Sequence, residues 1–171
     1  MLYWGLSGYE CWERDLADGP PTATAPNTEG VFDLVCMLNV IDRSRRPAGL
    51  LRAARKLLRS DGGSDDGWLL LATPLPYRPF FYQGGDVLAP STADSLGLPP
   101  ALKWTPSNDD ANGDEWGKHA QLLLERIMPT HGFEPVAFSR LPYISAGDAD
   151  TPLMALEDLI VLARPIPNHS F

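Results

Sequence analysis

A nearly continuous apolar run, VFDLVCMLNVI at residues 31–41, constrains this chain more than any other feature. So few polar positions are typical of a strand buried on both faces, which is the usual condition of a strand in a parallel sheet. The segment before this run, 18–30, and a later segment, 60–67, are rich in Pro, Gly, Thr, Ser and Asp, and both are predicted to be surface loops. The run therefore favours an α/β fold.

A helix and a second strand are predicted directly after this run. Residues 47–59 place Leu and Ala at helical spacing and begin with Pro47, which suits a first helical turn. Residues 68–73 (WLLLAT) predict a strand that Pro74 stops. The same spacing predicts that the basic side chains of the helix face outward, namely Arg52, Arg55, Lys56 and Arg59.

The second half of the chain gives a weaker pattern. Residues 74–115 are rich in Pro, Gly and aromatic residues and predict an irregular, lid-like excursion. Helical spacing returns at 116–128, with Gly132 as a left-handed cap. Two further strands are predicted at 134–140 and 158–164, so we expect a sheet of four or five strands.

Composition limits both size and partners. The 171 residues are the length of one domain, and the 44% hydrophobic share can build a core. A net charge of −8 argues against binding to nucleic acid or to an anionic membrane surface. Cys11 and Cys36 are too few for a disulfide framework and are expected to be reduced thiols. No signal peptide or membrane-spanning run is visible, so an intracellular, by default cytoplasmic, location is expected.

Several catalytic motifs are missing from the sequence. It contains neither a G-x-S-x-G nucleophile elbow nor a Walker A loop. The three histidines have no partner spacing that predicts a metal site.

Polar residues appear where two predicted strands end. Asn39 and Asp42 follow the apolar run, and ligands bind at the carboxyl edge of open α/β sheets. Tyr143, in RLPY, follows a later strand and could lean over the same edge. The alternative is purely structural, because Asn and Asp commonly cap strands and helices and a tyrosine is often half-buried at a strand end.

Four motifs occur in order along the chain: LNVIDR at 38–43, LPYRPF at 75–80, RLPYISAGD at 140–148 and ALEDLIVLARP at 155–165. Together they resemble the DREV methyltransferase family. The resemblance implies a Rossmann-like class I methyltransferase sheet, S-adenosyl-L-methionine as cofactor, and methyl transfer to a histidine ring nitrogen. It also implies a protein or peptide substrate that carries a His-x-His motif.

The resemblance assigns roles to three residues. Asn39 matches an asparagine that contacts the cofactor, and Tyr143 matches a cofactor-side tyrosine. Asp42 matches the aspartate that faces the substrate histidine, which makes it the candidate catalytic residue.

The chain also departs from the family pattern. It has no G-x-G turn for a cofactor, so we expect an N-terminally truncated domain that lacks the first βαβ unit and exposes an apolar strand edge. Leu153 and Met154 stand where the family has an aromatic pair. These departures favour an alternative, a non-catalytic peptide-binding module that uses the aromatic segment 76–82, although that segment can also simply pack over the sheet as a lid.

Overall fold

The structure is a computed structural model that describes Leu16 and residues 30–60, 62, 66–99, 115–146 and 153–167. The strands are β1 (Leu34–Leu38), β2 (Trp68–Leu75), β3 (Phe81–Gln83), β4 (Asp86–Leu88), β5 (Phe133–Ala146) and β6 (Leu153–Pro165). Helix α1 spans Pro47–Leu57 and helix α2 spans Glu115–Leu122. The loop predicted at 18–30 lies outside the described residues except for its last residue.

Four of these strands form one sheet in the order β1-β2-β6-β5. β1 and β2 are parallel and are joined through α1, as the strand–helix–strand pattern predicts. β6 runs antiparallel to both β2 and β5, so its amino end lies beside the carboxyl end of β2. The expected α/β sheet of four or five strands is therefore present, and it is mixed rather than fully parallel.

The core lies between one face of this sheet and the two helices. The sheet contributes Leu69 and Leu71 from β2 with Leu159 and Val161 from β6, all fully buried. The helices meet this face with apolar residues that belong to the same cluster, among them Ala48, Leu51, Ala54, Ala120 and Leu123. Both helices therefore cover the same side of the sheet.

The opposite face of the sheet is exposed at β1, which contradicts the expectation of a strand buried on both sides, although Ala72 and Asp158 on that face are buried. β1 covers residues 34–38 rather than 31–41, and its alternate residues Leu34 and Leu38 are 52% and 56% exposed. Neighbouring positions on this face are also apolar: Leu70, Leu141, Ile160 and Leu162. The apolar run has the pattern of a strand that is buried on both faces, but among the described residues helices pack on only one face of the sheet.

β2 continues through Pro74 to Leu75, so the prediction that Pro74 stops this strand is wrong. β1 ends opposite Ala72, and beyond that point β2 pairs only with β6. A residue without an N–H fits there, because one side of the strand has no neighbour to bond.

The irregular excursion predicted at 74–115 contains a β-hairpin. β3 and β4 are joined by Gly84 and Gly85, both with positive φ (61° and 94°). A two-residue Gly-Gly connection is a strong hairpin signal, and sequence analysis missed it because the flanking strands have only three residues each.

The second helical segment runs past its predicted end. α2 continues through a π-helical turn (Leu123–Ile127) into Met128–Thr130. Gly132 has φ 77°, which confirms the predicted left-handed end.

One basic residue of α1 does not face outward as predicted. Arg55 is 9% exposed, and its guanidinium donates to Ser60 Oγ (2.9 Å) and to the carbonyl oxygen of Ile166 (2.7 Å). It thereby ties the helix to the chain that leaves β6.

Within the described ranges, no helix has both the length and the apolarity to cross a bilayer. No group of three His, Cys, Asp or Glu side chains in those ranges is arranged to hold a metal ion.

Candidate active site

The carboxyl end of β1 carries two of the predicted site residues. Asn39 follows β1 directly and has a left-handed backbone (φ 53°), which asparagine tolerates better than most residues. Its N–H donates a 2.9 Å hydrogen bond to the carbonyl oxygen of Ala72. The chain then leaves the sheet in a 3-10 turn, Ile41–Arg43, where Asp42 is only 1% exposed.

Asp42 is a buried carboxylate with only half of its hydrogen-bonding capacity used. Its Oδ2 forms a 2.6 Å ion pair with Nη1 of Arg43. Its Oδ1 has no partner among the described residues. Burial raises the pKa of Asp42 from 3.8 to about 6, although Arg43 opposes the increase. The carboxylate is therefore ionised at neutral pH and keeps one oxygen for a donor.

Asp158 is a second buried carboxylate at the same corner of the sheet, where the carboxyl ends of β1 and β2 lie beside β6. Sequence analysis missed this residue. It lies on β6 opposite Pro74 and is 5% exposed. Burial raises its pKa, while a hydrogen bond from the Asn39 side chain opposes the increase. Its negative charge also adds to the raised pKa of Asp42. Sequence analysis predicts a strand that begins at Asp158. Because β6 runs antiparallel to β2, the beginning of this predicted strand lies beside the carboxyl end of β2.

Three acceptor oxygens at this corner are buried and unpartnered. They are Oδ1 of Asn39, Oδ1 of Asp42 and Oδ1 of Asp158. Buried polar atoms in native proteins are normally hydrogen-bonded, so each of these oxygens is expected to accept a hydrogen bond from water or from a ligand. A ligand with N–H groups, such as a protonated amine, an amino-purine or an imidazole, has the complementary chemistry.

Tyr77 and His119 hold the turn that carries Asp42. The Tyr77 hydroxyl donates to the carbonyl oxygen of Ile41 (3.1 Å), and the Tyr77 N–H donates to Nδ1 of His119 (2.9 Å). Both side chains are buried, and burial lowers the pKa of His119. Sequence analysis placed Tyr77 in an irregular segment, because nothing local shows that it packs against a helix 42 residues later.

Tyr143 lies farther from this corner than Asn39 and Asp42 do. It is half-buried on β5, opposite Leu156 of β6, and β6 separates its strand from β2. Two strand spacings place the β5 backbone about 10 Å from that of β2. Its role as a cofactor-side residue stays a prediction.

Leu153 and Met154, which replace the family's aromatic pair, begin β6. They lie opposite Ala146 and Ser145 at the far end of the β5–β6 hairpin, and Leu153 is 69% exposed.

An open groove of about 460 Å³ lies beside Arg43, the residue that follows Asp42, and Asp42 itself does not line it. Its lining residues are Val40, Arg43, Ser44, Arg45, Leu50, Phe81, Tyr82 and Gln83. The lining contains two guanidinium groups and no carboxylate. Arg43 joins the groove to the site, because it pairs with Asp42 and also lies 3.9 Å from the ring centre of Phe80. The aromatic segment thus contacts the turn that carries Asp42 through Phe80, and Phe81 and Tyr82 form one wall of the groove.

Comparison with known proteins identifies the family. A solved structure from work on "Conversion of a Disulfide Bond into a Thioacetal Group during Echinomycin Biosynthesis" is similar to 84% of this chain, at 12% identity and a TM-score of 0.40. This chain covers 52% of that one, about half of its length. A family model described as DREV methyltransferase matches residues 22–165, which is most of the chain. The resemblance that the motifs indicated is thereby confirmed, and the chain belongs to the DREV methyltransferase family.

Proposed function

We propose that this chain provides the substrate-facing part of an S-adenosyl-L-methionine-dependent methyltransferase that modifies a histidine ring nitrogen in a His-x-His protein motif. One observation carries the proposal: Asp42 is buried at the carboxyl end of β1 with an unpaired oxygen. An ionised carboxylate in that state suits the N–H of an imidazole, and the family membership supplies the reaction class.

Asp42 would orient the substrate ring. When Oδ1 accepts the N–H of a neutral imidazole, the lone pair of the other ring nitrogen points away from Asp42, toward the methyl group to be attacked. The methyl group that a bound cofactor would supply would be transferred to this lone pair, with the electrons of the carbon–sulfur bond left on the sulfur. The ring becomes cationic, and the adjacent carboxylate stabilises that charge and can take the N–H proton.

The cofactor would supply an electrophilic methyl group on a sulfonium centre. The unpaired acceptor oxygens fit its amino groups, and the family resemblance favours Asn39 and Tyr143 as its contacts. Asn39 is the better supported of the two, because its side-chain oxygen is buried and unpartnered beside Asp158.

The groove supports a peptide as the substrate. It is open, is lined by Arg43, the ion-pair partner of Asp42, and offers apolar walls at Val40 and Tyr82 with polar groups between them. An extended peptide could lie there while one of its histidines reaches Asp42.

The test is methyl transfer to a His-x-His peptide, with Asp42→Ala compared with Asp86→Ala. Asp86 is an exposed carboxylate on β4, so its removal is the matched control. We expect Asp42→Ala to lower turnover at least 100-fold while the dissociation constant for S-adenosylhomocysteine, measured by calorimetry, changes less than threefold. Equal turnover in both variants would remove the role assigned to Asp42, and no cofactor binding by the parent chain would contradict the enzyme proposal.

A second candidate is a non-catalytic peptide-binding module that uses the same groove. The absence of a G-x-G turn from the sequence favours it. Peptide binding that is unchanged by S-adenosylhomocysteine, with no methyl transfer, would support this candidate over the enzyme.

A further inference from the structure

The groove beside Arg43 is basic, although the protein as a whole is acidic. The chain has 22 Asp and Glu residues against 14 Lys and Arg residues. The described residues that line the groove nevertheless include Arg43 and Arg45 and no Asp or Glu. A cleft lined by charges of one sign concentrates ligands of the opposite sign. The groove therefore favours an anionic occupant.

The two arginines of the groove differ in how they are held. Nη1 of Arg43 pairs with Asp42, and the Arg43 guanidinium lies 3.9 Å from the ring centre of Phe80, so this side chain is fixed in place. Arg45 is exposed and forms no ion pair or hydrogen bond with any described residue. Its guanidinium offers a planar fork of N–H donors, which matches the two oxygens of a carboxylate. Arg45 is therefore the cation of the groove that is available to a ligand.

The β3–β4 hairpin adds aromatic surface to the same groove. Tyr82 is 70% exposed, and its ring meets that of Phe80 edge to face, with 5.6 Å between the ring centres. Phe81 also lines the groove. Tyr and Arg side chains are enriched where proteins bind other polypeptide chains. The combination of these side chains in a groove of about 460 Å³ suits a peptide segment better than a small free anion.

One peptide can reach both the groove and the candidate site. Arg45 follows Asp42 by three residues, so their Cα atoms are at most about 11 Å apart. An extended peptide covers this distance with about three residues. A peptide whose histidine contacts Asp42 therefore brings the side chain about three residues away to Arg45.

We infer that the groove binds an acidic side chain, Asp or Glu, that lies about three residues from the target histidine, and that Arg45 determines this preference. The occupant is thus a peptide with a carboxylate near its histidine rather than a neutral or basic peptide. The inference deepens the proposed function and rests on it for the place of the histidine. Binding of the acidic segment does not require methyl transfer.

The test compares two fluorescein-labelled peptides in anisotropy titrations of the full chain at low salt. Both contain His-Ala-His. One has a glutamate three residues away on each side, and the other has glutamine at these two positions. The parent should bind the glutamate peptide about fivefold more tightly than the glutamine peptide, and Arg45→Ala should bind both equally. Equal binding of the two peptides by the parent, or binding of neither, overturns the inference, as does a preference that survives in Arg45→Ala.

Lys56→Ala is the matched control, because Lys56 is an exposed basic residue of α1 that does not line the groove. This variant removes the same charge from the protein and should keep the fivefold preference. If it loses the preference as Arg45→Ala does, the effect comes from net charge and the inference fails.

A charge reversal separates loss of the preference from loss of folding. Arg45→Glu should bind a third peptide, with lysine at the two positions, about threefold more tightly than the glutamate peptide, and an unfolded variant cannot gain such a preference. No reversal in Arg45→Glu overturns the inference.

Methyl transfer to the same peptides, with S-adenosyl-L-methionine supplied, distinguishes the two proposals. Methylation without a preference for glutamate overturns only the present inference. A glutamate preference without methylation overturns only the proposed methyltransferase activity.

Discussion

At the scale of single residues, Asp42 is kept charged where burial opposes charge. Its ion pair with Arg43 satisfies one carboxylate oxygen, and the other has no donor among the described residues. Perturbed groups of this kind concentrate at functional sites, where they lower the stability of the fold.

This cost predicts that Asp42→Asn stabilises the protein at neutral pH. The folded pKa of about 6 lies above the unfolded value near 3.8, so the folded state holds the extra proton between these values. The stability that this proton supplies is lost as pH rises from about 4 through 6, for a total of about 3 kcal/mol. In urea unfolding at pH 7.5, the free energy of unfolding of Asp42→Asn should therefore exceed that of the parent by about 1–3 kcal/mol, because the lost ion pair with Arg43 offsets part of the gain. At pH 4 the two free energies should be nearly equal. A less stable variant at pH 7.5 would contradict this account.

The sequence predicted some site residues because their signal is local. Asn39 and Asp42 follow an apolar run directly, so their place at a strand end could be anticipated from neighbouring letters. Asp158 could not be found in this way, because its place depends on the direction of β6 relative to β2, which is a long-range property of the sheet.

At the scale of elements, one contact joins the second helix to the turn that carries Asp42. His119 of α2 accepts the N–H of Tyr77, whose hydroxyl holds the Ile41 carbonyl oxygen. The imidazole is neutral in this role, because Nδ1 must keep its lone pair.

We expect His119→Leu to lower the free energy of unfolding by about 1–3 kcal/mol, because the buried Tyr77 N–H loses its acceptor although the apolar volume is kept. Gln121→Ala, an exposed position on the same helix, should change it by less than about 0.5 kcal/mol. Urea titrations of the two variants measure the difference. Equal stabilities would mean that the Tyr77–His119 bond contributes nothing.

The elements that the sequence predicted are those with a strong local period. α1, β2, the second helix and its end at Gly132 were anticipated from spacing and caps. The length of β5 and β6 was not, because their distal halves, 141–146 and 153–157, are stabilised by pairing with each other rather than by burial of a periodic face.

At the scale of the whole molecule, the described sheet has one covered face and one face that is exposed at β1. Both helices pack on the side of Leu71 and Val161, whereas Leu34 and Leu38 on the other side remain about half exposed. An apolar sheet face of this kind is unusual in a protein that stays monomeric.

Cys36 lies on the face that is exposed at β1 and provides a direct probe of it. Its side chain is exposed, between Leu34 and Leu38 on the same strand. In a Cys11→Ser variant, we expect a thiol reagent to label Cys36 in the native protein within about tenfold of its rate in urea, because accessibility controls thiol reactivity. Labelling more than 100-fold slower in the native state would show that this face is covered in solution.

The exposure at β1 also makes the unfolding free energy depend on what surrounds the protein. Any apolar surface that docks on the face of Leu34, Cys36 and Leu38 removes area from water, at about 25 cal/mol for each Å², and binds only the folded chain. By mass action, the melting temperature then rises with the concentration of that surface, whether it belongs to another molecule or to another copy. A dilution series of melting curves thus tests whether copies of this chain associate in the folded state, and a polar substitution at Leu38 tests whether they do so through this face.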